Sequence, residues 1–224
     1  MKKLFSSILF LSALLFMTTT IRAQDFSKYR GFSLGASLTT VLKQTDQKLA
    51  DVNVAHGAPS LIQEVTWWPP NLPGTSYRSD SVEQILFSFY NSTLYKISVT
   101  YDQASTEGLT VTDMIKSIST KYGPSTSVAP ALDPASKDNY DAKERLVASW
   151  EDTKYSFNLV RSFFTDRFGL IVYSKGTNAE AELAIVEALR LKKQNGPKRA
   201  AEREEKRSND LEVARQRNQE TFRP

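Results

Sequence analysis

The residues from which chemistry could be built are few: one histidine, His56, no cysteine, and scattered carboxylates. His56 sits in Val-Ala-His-Gly-Ala-Pro. A hydrolytic triad would bring it to a serine nucleophile; Ser33 in Gly31-Phe-Ser-Leu-Gly35 matches the G-x-S-x-G pattern, but that segment reads as a turn from a short N-terminal strand into the first helix. His56 therefore reads as an exposed loop histidine. The missing cysteine excludes disulfides, thiolate nucleophiles, iron–sulfur clusters and cysteine zinc sites, and a lone histidine excludes two-histidine ligation within one chain. Asp133, Asp138, Asp141 and Glu144 are spaced by five, three and three residues with no glycine between them. Calcium loops need tighter alternation and a glycine at the turn, so these acids read as solvated loop charge. Glu151-Asp152 ends a strand pattern, where neighbours point to opposite faces and do not converge as an acid–base pair. Gly31-Phe-Ser-Leu-Gly35 has neither G-x-G-x-x-G nor G-K-S/T and reads as a turn into a helix. No catalytic, cofactor-binding or metal-ligating residue is assigned, no cofactor is expected, and the chain is expected not to be an enzyme.

A binding site has better candidates. Trp67-Trp68-Pro69-Pro70 closes a β-rich run. On a strand the two indoles face opposite ways, so one packs and the other can serve as an exposed anchor, since tryptophan is enriched at interface hot spots. The alternative is that both pack, one of them under the Pro-rich loop. Tyr77 and Arg78 would extend the patch, giving Trp67, Trp68, Tyr77 and Arg78 as partner-binding candidates. Lys192, Lys193, Lys198 and Arg199 form a basic run, but Glu202, Glu204 and Glu205 interrupt it. Without a clean basic stripe or interleaved aromatics, the run argues against nucleic acid as a partner. A protein or envelope component is the expected partner.

The elements that must position these residues form two similar halves. Ser37 can cap a helix carrying Leu38, Val41, Leu42, Thr45 and Leu49 on one face. Residues 61–68, 82–90 and 94–101 read as strands. The last two flank Asn91-Ser92-Thr93, a glycosylation acceptor by pattern but read here as a hairpin turn. In the second half, Thr110 and Asp113 make a capping-box pair ahead of Val111, Met114, Ile115, Ile118 and Tyr122, and Gly123-Pro124 stops the helix. Strands are expected at 146–151, 155–161 and 168–174. Each half is thus one helix and three antiparallel strands, an α+β fold with units at 24–105 and 106–176, either sharing a sheet or in tandem. A docking helix is expected at 177–196, with Leu183, Ile185, Val186, Leu189 and Leu191 against the sheet. It should stop at Asn195-Gly196-Pro197, leaving 197–224 as a charged solvated helix or disordered tail.

Residues 1–23 read as an address rather than part of the fold. Lys2 and Lys3 precede an apolar run from Phe5 to Met17, and Ile21-Arg22-Ala23 supplies a cleavage site, predicted between Ala23 and Gln24. The run falls short of the roughly 20 residues that span a bilayer. The expected product is exported, periplasmic or extracellular. The formal charge of the chain is +4, and a basic balance alone would suggest an anionic partner. Three basic residues lie in the signal segment, however; residues 24–190 carry 16 basic and 19 acidic residues, and 191–224 carry 10 and 6. The body is mildly acidic and the basic character belongs to the tail.

The segment "YRGFSLGASLTTVLKQ" and its counterpart "GLTVTDMIKSISTKYGPST" share a glycine-then-capped-helix opening. That pattern resembles small BamE/SmpA-like envelope modules, and the tandem arrangement from Tyr29 to Ser174 is similar to the β-lactamase inhibitory protein family. The resemblance implies an exported, non-enzymatic, protein-binding role and transfers no site residue. With no cysteine, neither a lipid anchor nor the inhibitor family's disulfides is implied. The leading expectation is a non-catalytic module binding a protein or envelope component. The alternatives are a secreted hydrolase using carboxylates and a structural envelope protein with a surface-binding basic tail.

Overall fold

A computed structural model describes residues 25–70, 80–129, 144–221 and 223, without the side chains of 199 and 200. Residues 1–23, read above as a signal segment, and Tyr77, Arg78, Asp133, Asp138 and Asp141 lie outside the described residues. The chain opens with a small hairpin, β1 (Lys28–Tyr29) and β2 (Phe32–Ser33), then helix α1 (Leu38–Thr45) and a 3-10 turn (Leu49–Asp51). The Ser37 side chain accepts from the Thr40 backbone N–H and starts α1, as its residue type dictates. Four strands follow: β3 (Asn53–His56), β4 (Ile62–Trp67), β5 (Val82–Tyr90) and β6 (Thr93–Tyr101). A short helix α2 (Gln103–Thr106) leads into α3 (Val111–Tyr122), which starts in the expected capping box between Thr110 and Asp113. Strands β7 (Ser127–Val128), β8 (Glu144–Glu151), β9 (Tyr155–Ser162) and β10 (Phe168–Ser174) complete the second half, and helix α4 (Lys175–Thr221) ends the chain.

The protein is α+β, but the halves are not three-stranded units. All eight strands from β3 to β10 join one antiparallel sheet in the order β3-β4-β5-β6-β10-β9-β8-β7. Each half is a four-stranded meander, and the order of strands within the halves reads the same from either edge. The last strand of each half meets the other at the centre, where Ile171 of β10 sits opposite Ser98 of β6. The two strands absent from the sequence reading are the edge strands β3 and β7. Asn53–His56 is largely exposed and has no apolar alternation, and Ser127–Val128 is two residues long. An edge strand bonds on one side only, so backbone pairing makes it and side-chain pattern does not reveal it. His56 therefore lies on an edge strand, half-exposed, rather than in a loop.

One face of the sheet carries the main core. Ile85, Phe87 and Phe89 of β5, Leu94, Ile97 and Val99 of β6, Phe157 and Leu159 of β9, and Leu170 and Val172 of β10 pack with Leu38, Val41 and Leu42 of α1 and Met114, Ile118 and Tyr122 of α3. Both helices thus cover the same face, α3 through the stripe its periodicity predicts and α1 through all of its stripe but Leu49, which falls in the 3-10 turn and is exposed. The β5–β6 hairpin turns on Asn91 and Ser92 with φ of 47° and 64°, the two positive values that a two-residue turn matching strand twist requires. Trp150 is fully buried and donates its indole N–H to the Gly123 carbonyl at 2.9 Å, tying β8 to the end of α3.

Helix α4 crosses the opposite face, where Ala181 packs with Ile62 and Tyr95, and Ile185 lies against them. It does not stop at Asn195-Gly196-Pro197; it continues through Pro197 to Thr221. Residues 198–207 are rich in Ala, Glu, Arg and Lys, all strong helix formers. Their propensity, with exposed pairs such as Glu212–Arg215, carries the helix past a proline that removes one backbone hydrogen bond.

Candidate functional site

Trp67 and Trp68 divide as strand alternation predicts. Trp67 is half-buried on the core side, edge-on to Phe32 with ring centroids 5.7 Å apart. Trp68, just past β4, is 58% exposed. Trp68 lies at the far end of β4 from Ile62, where α4 docks, about 20 Å away along the strand at 3.3 Å per residue. The indole and the helix are therefore separate surface features.

The face that α4 turns to the sheet keeps Ile185 of the expected stripe but is otherwise built of alanines. Ala181, Ala184 and Ala188 are buried, at 0%, 8% and 8% exposure, while Leu183, Val186 and Leu189 stand 72%, 65% and 52% exposed. The reason is steric. Tyr95 rises from β6 beneath the helix, and only a face of small residues lets the helix backbone settle over so large a side chain. Burying a leucine fully is worth roughly 1.5–3 kcal/mol, so three large apolar side chains left in water make an energetically open surface. Residues 180–190 contain Glu180, Glu182 and Glu187 against the single cation Arg190. Lys192 and Lys193 follow within one turn of Leu189, so residues 180–193 carry three acids and three cations around the apolar stripe.

Beside α4 the same sheet face is polar. Asn158 Oδ1 accepts from the Ser149 hydroxyl at 2.8 Å and from the Ser156 hydroxyl at 3.2 Å, and Asn158 Nδ2 donates to the Tyr173 hydroxyl at 3.4 Å. These side chains alternate with the core residues of β8, β9 and β10, and their network satisfies polar groups on Ser149 and Ser156, which are buried.

On the helix-covered face, three tyrosines distant in sequence converge around a cavity of about 300 Å³. Tyr29 comes from β1, Tyr101 from the end of β6 and Tyr122 from the end of α3; Ser105 and Thr106 of α2 and Leu170 of β10 also line it. Arg30 stands at the β1–β2 turn with φ of 54° and forms a two-pronged pair with Asp80, Nη1 to Oδ2 at 2.5 Å and Nη2 to Oδ1 at 2.7 Å. Asp80 also accepts from the Val82 backbone N–H at 2.9 Å. The Arg30 guanidinium holds the Asp80 carboxyl below the usual carboxylate range, and Asp80 in turn raises Arg30. Burial pushes all three phenols up: Tyr29 above its ordinary value, Tyr101 well above, and Tyr122 to about 12. The neighbouring phenol Tyr29 reinforces the shift at Tyr101 and Tyr122. All three remain neutral O–H groups at physiological pH. Tyr122 is 7% exposed, and its hydroxyl is buried without a hydrogen-bond partner; it approaches the Arg30 backbone but not in bonding geometry.

Sequence reading placed a strand end at Tyr101 and a helix stop at Tyr122 and assigned neither to a site. Tyr29, Tyr101 and Tyr122 are separated by 72 and 21 residues, and no local spacing signals their meeting. Among the described residues no group of acids and histidine is placed to hold a metal ion, and no helix is long and apolar enough to cross a membrane. No protein-family model, no curated protein and no solved structure matches the chain.

Proposed function

We propose that the protein is an exported, non-catalytic module of the bacterial envelope or secretome that binds a protein partner, and that the partner seats on helix α4. The observation that carries this reading is the inverted helix: alanines face the sheet while Leu183, Val186 and Leu189 face solvent. A helix apolar on both sides is a helix covered on both sides. The exposed apolar side chains select a partner protein presenting an apolar patch of its own. The signal-peptide layout of residues 1–23 and the resemblance to exported protein-binding modules support the same reading. Trp68 offers a separate exposed aromatic anchor.

The test is crosslinking in native envelope and culture medium, comparing wild type with Leu183→Ser, Val186→Ser and Leu189→Ser combined. The three side chains are outside the core, so the melting temperature should change little. A specific crosslinked protein should be captured by wild type and lost from the variant. Capture of the same protein by both, or capture of none, overturns the reading. A wild-type dimer in sedimentation that the variant abolishes would make the occupant a second copy and refute the proposed partner.

A further inference from the structure

The turn between β9 and β10 carries a second inference, independent of α4. We propose that this turn is a shallow membrane anchor, which inserts Phe163 and Phe164 into the interfacial layer of a zwitterionic lipid bilayer.

Phe163 and Phe164 directly follow β9 and stand 47% and 79% exposed, Phe164 more than any other large apolar side chain among the described residues. A lone exposed ring means little, but two adjacent ones at the tip of a hairpin form a patch that the body of the protein does not cover. The same end of the sheet carries a third exposed ring. Trp67 at the end of β4 lies opposite Ile85 near the start of β5, and Gly169 near the start of β10 lies opposite Thr100 at the end of β6. Trp68, 58% exposed and just past β4, therefore stands on the same rim as the turn, three strands away from β10 and roughly 15 Å off at 4.8 Å per strand.

The internal bonding of the turn shows which occupant it suits. Ser162 Oγ accepts from the backbone N–H groups of Phe164 and Thr165 at 3.3 and 3.2 Å. The Asp166 N–H donates to the Ser162 carbonyl at 3.1 Å, and the Ser162 N–H donates to the Arg167 carbonyl at 2.9 Å. Arg161 reaches across, donating through Nε to the Asp166 carbonyl at 3.1 Å and through Nη2 to its carboxylate at 2.5 Å, and it lies over the Phe168 ring. Four backbone donors and a guanidinium are thus bonded inward while the rings point out. Entry into an apolar medium is costly for an unbonded polar group and cheap for a bonded one. A protein interface also requires hydrogen bonds across it, and this tip has used most of its donors on itself.

Charge selects the kind of lipid. Arg161 pairs with Asp166 and Arg167 with Glu83. Across the ladder, Glu144 and Arg145 of β8 face Ser162 and Arg161 and balance each other in sign. The charges around the turn therefore compensate one another, which matches a zwitterionic surface and gives an anionic one no advantage.

The experiment mixes the purified protein with phosphatidylcholine vesicles and measures the fraction that sediments with them. Half-binding near about 1 mM lipid is expected, the range of a shallow, reversible anchor. Raising salt to about 1 M should leave it unchanged or stronger, since screening acts on charge and not on apolar burial. Phe163→Ser and Phe164→Ser combined should lower the partition about a hundredfold, roughly tenfold for each ring withdrawn from apolar surroundings. The melting temperature should stay the same, because both rings lie outside the core. Phe164→Trp should retain binding, and its added fluorescence should be quenched by lipid brominated on the acyl chains. The combined Leu183, Val186 and Leu189 serine variant should partition as wild type does, which separates this result from any partner on α4. The proposal is overturned by no binding at about 10 mM lipid, by a double serine variant that partitions as wild type does, or by binding that high salt abolishes. Loss of binding in the α4 variant overturns it as well, and so does capture of a single protein by a photocrosslinker at position 164 without vesicle binding.

Discussion

Asp80 accepts two hydrogen bonds from Arg30 and one from the Val82 backbone, and so joins the N-terminal hairpin to the start of β5. Its carboxyl is held below the ordinary range in the fold, whereas in the unfolded chain it titrates near 3.9. A depressed acid contributes stability in full above its unfolded pKa and loses it as pH falls through the folded value. Asp80→Asn should therefore lower unfolding free energy at pH 7 by about 1 kcal/mol, a modest figure because both partners remain partly solvated. Urea titrations of wild type and variant should converge as pH is taken from 5 toward about 2. A constant gap across that range would mean that the pair's charge contributes nothing. None of this was legible in the sequence: Arg30 and Asp80 are 50 residues apart, and single charged residues carry no mark of their partners. Trp67 and Trp68 are the contrast. Their opposite exposure followed from strand alternation, a property of two adjacent residues.

Among the elements, β10 is the most constrained, because it lies between β6 and β9 and is shared by both halves of the sheet. At Gly169 a Cβ would stand 2.9 Å from the Val99 carbonyl oxygen and 3.1 Å from Val160 Cγ2. The first contact is with backbone and cannot relax without moving a central strand. Gly169→Val should destabilise the protein by about 1–3 kcal/mol, the range typical of overpacking, measured by thermal or urea unfolding. An unchanged midpoint would show that the two halves do not depend on close strand approach there. The sequence pattern read β5, β6, β8, β9 and β10, and the capped starts of α1 and α3, because alternation and capping are written in consecutive side chains. It missed β3 and β7, whose existence depends on a neighbour's free backbone groups. For α4 it placed Leu183, Val186 and Leu189 against the sheet together with Ile185, and of these four only Ile185 packs there, beside the alanines. Apolar periodicity favours Leu183, Val186 and Leu189, but the surface beneath selects the alanines, and a helix cannot show in its own sequence what it lies against.

At the scale of the molecule, the distal part of α4 stands apart from the core. From Lys192 onward every described side chain is exposed except the half-exposed Ala214. Deleting residues 197–224 should leave the unfolding free energy within about 0.5 kcal/mol of wild type and the thermal midpoint little changed, while far-ultraviolet ellipticity falls by the loss of some 25 helical residues (an isolated, solvated helix adds signal without adding core). A large drop in the midpoint would place the tail against the body. The same deletion removes eight basic and six acidic residues, half of the +4 carried by residues 191–224. By itself the sequence determined the exclusion of thiol and histidine-pair chemistry, the mixed α+β class and most of the element positions. All of these are composition or short-range periodicity, readable over fewer than about 20 residues. Tertiary structure alone decided that two halves fuse through β6 and β10 into one sheet, that α4 lies on its alanines, and that three tyrosines and Arg30 enclose a cavity. These depend on contacts between residues tens of positions apart. Such contacts are selected by the free energy of the whole packed chain, and no single segment records them.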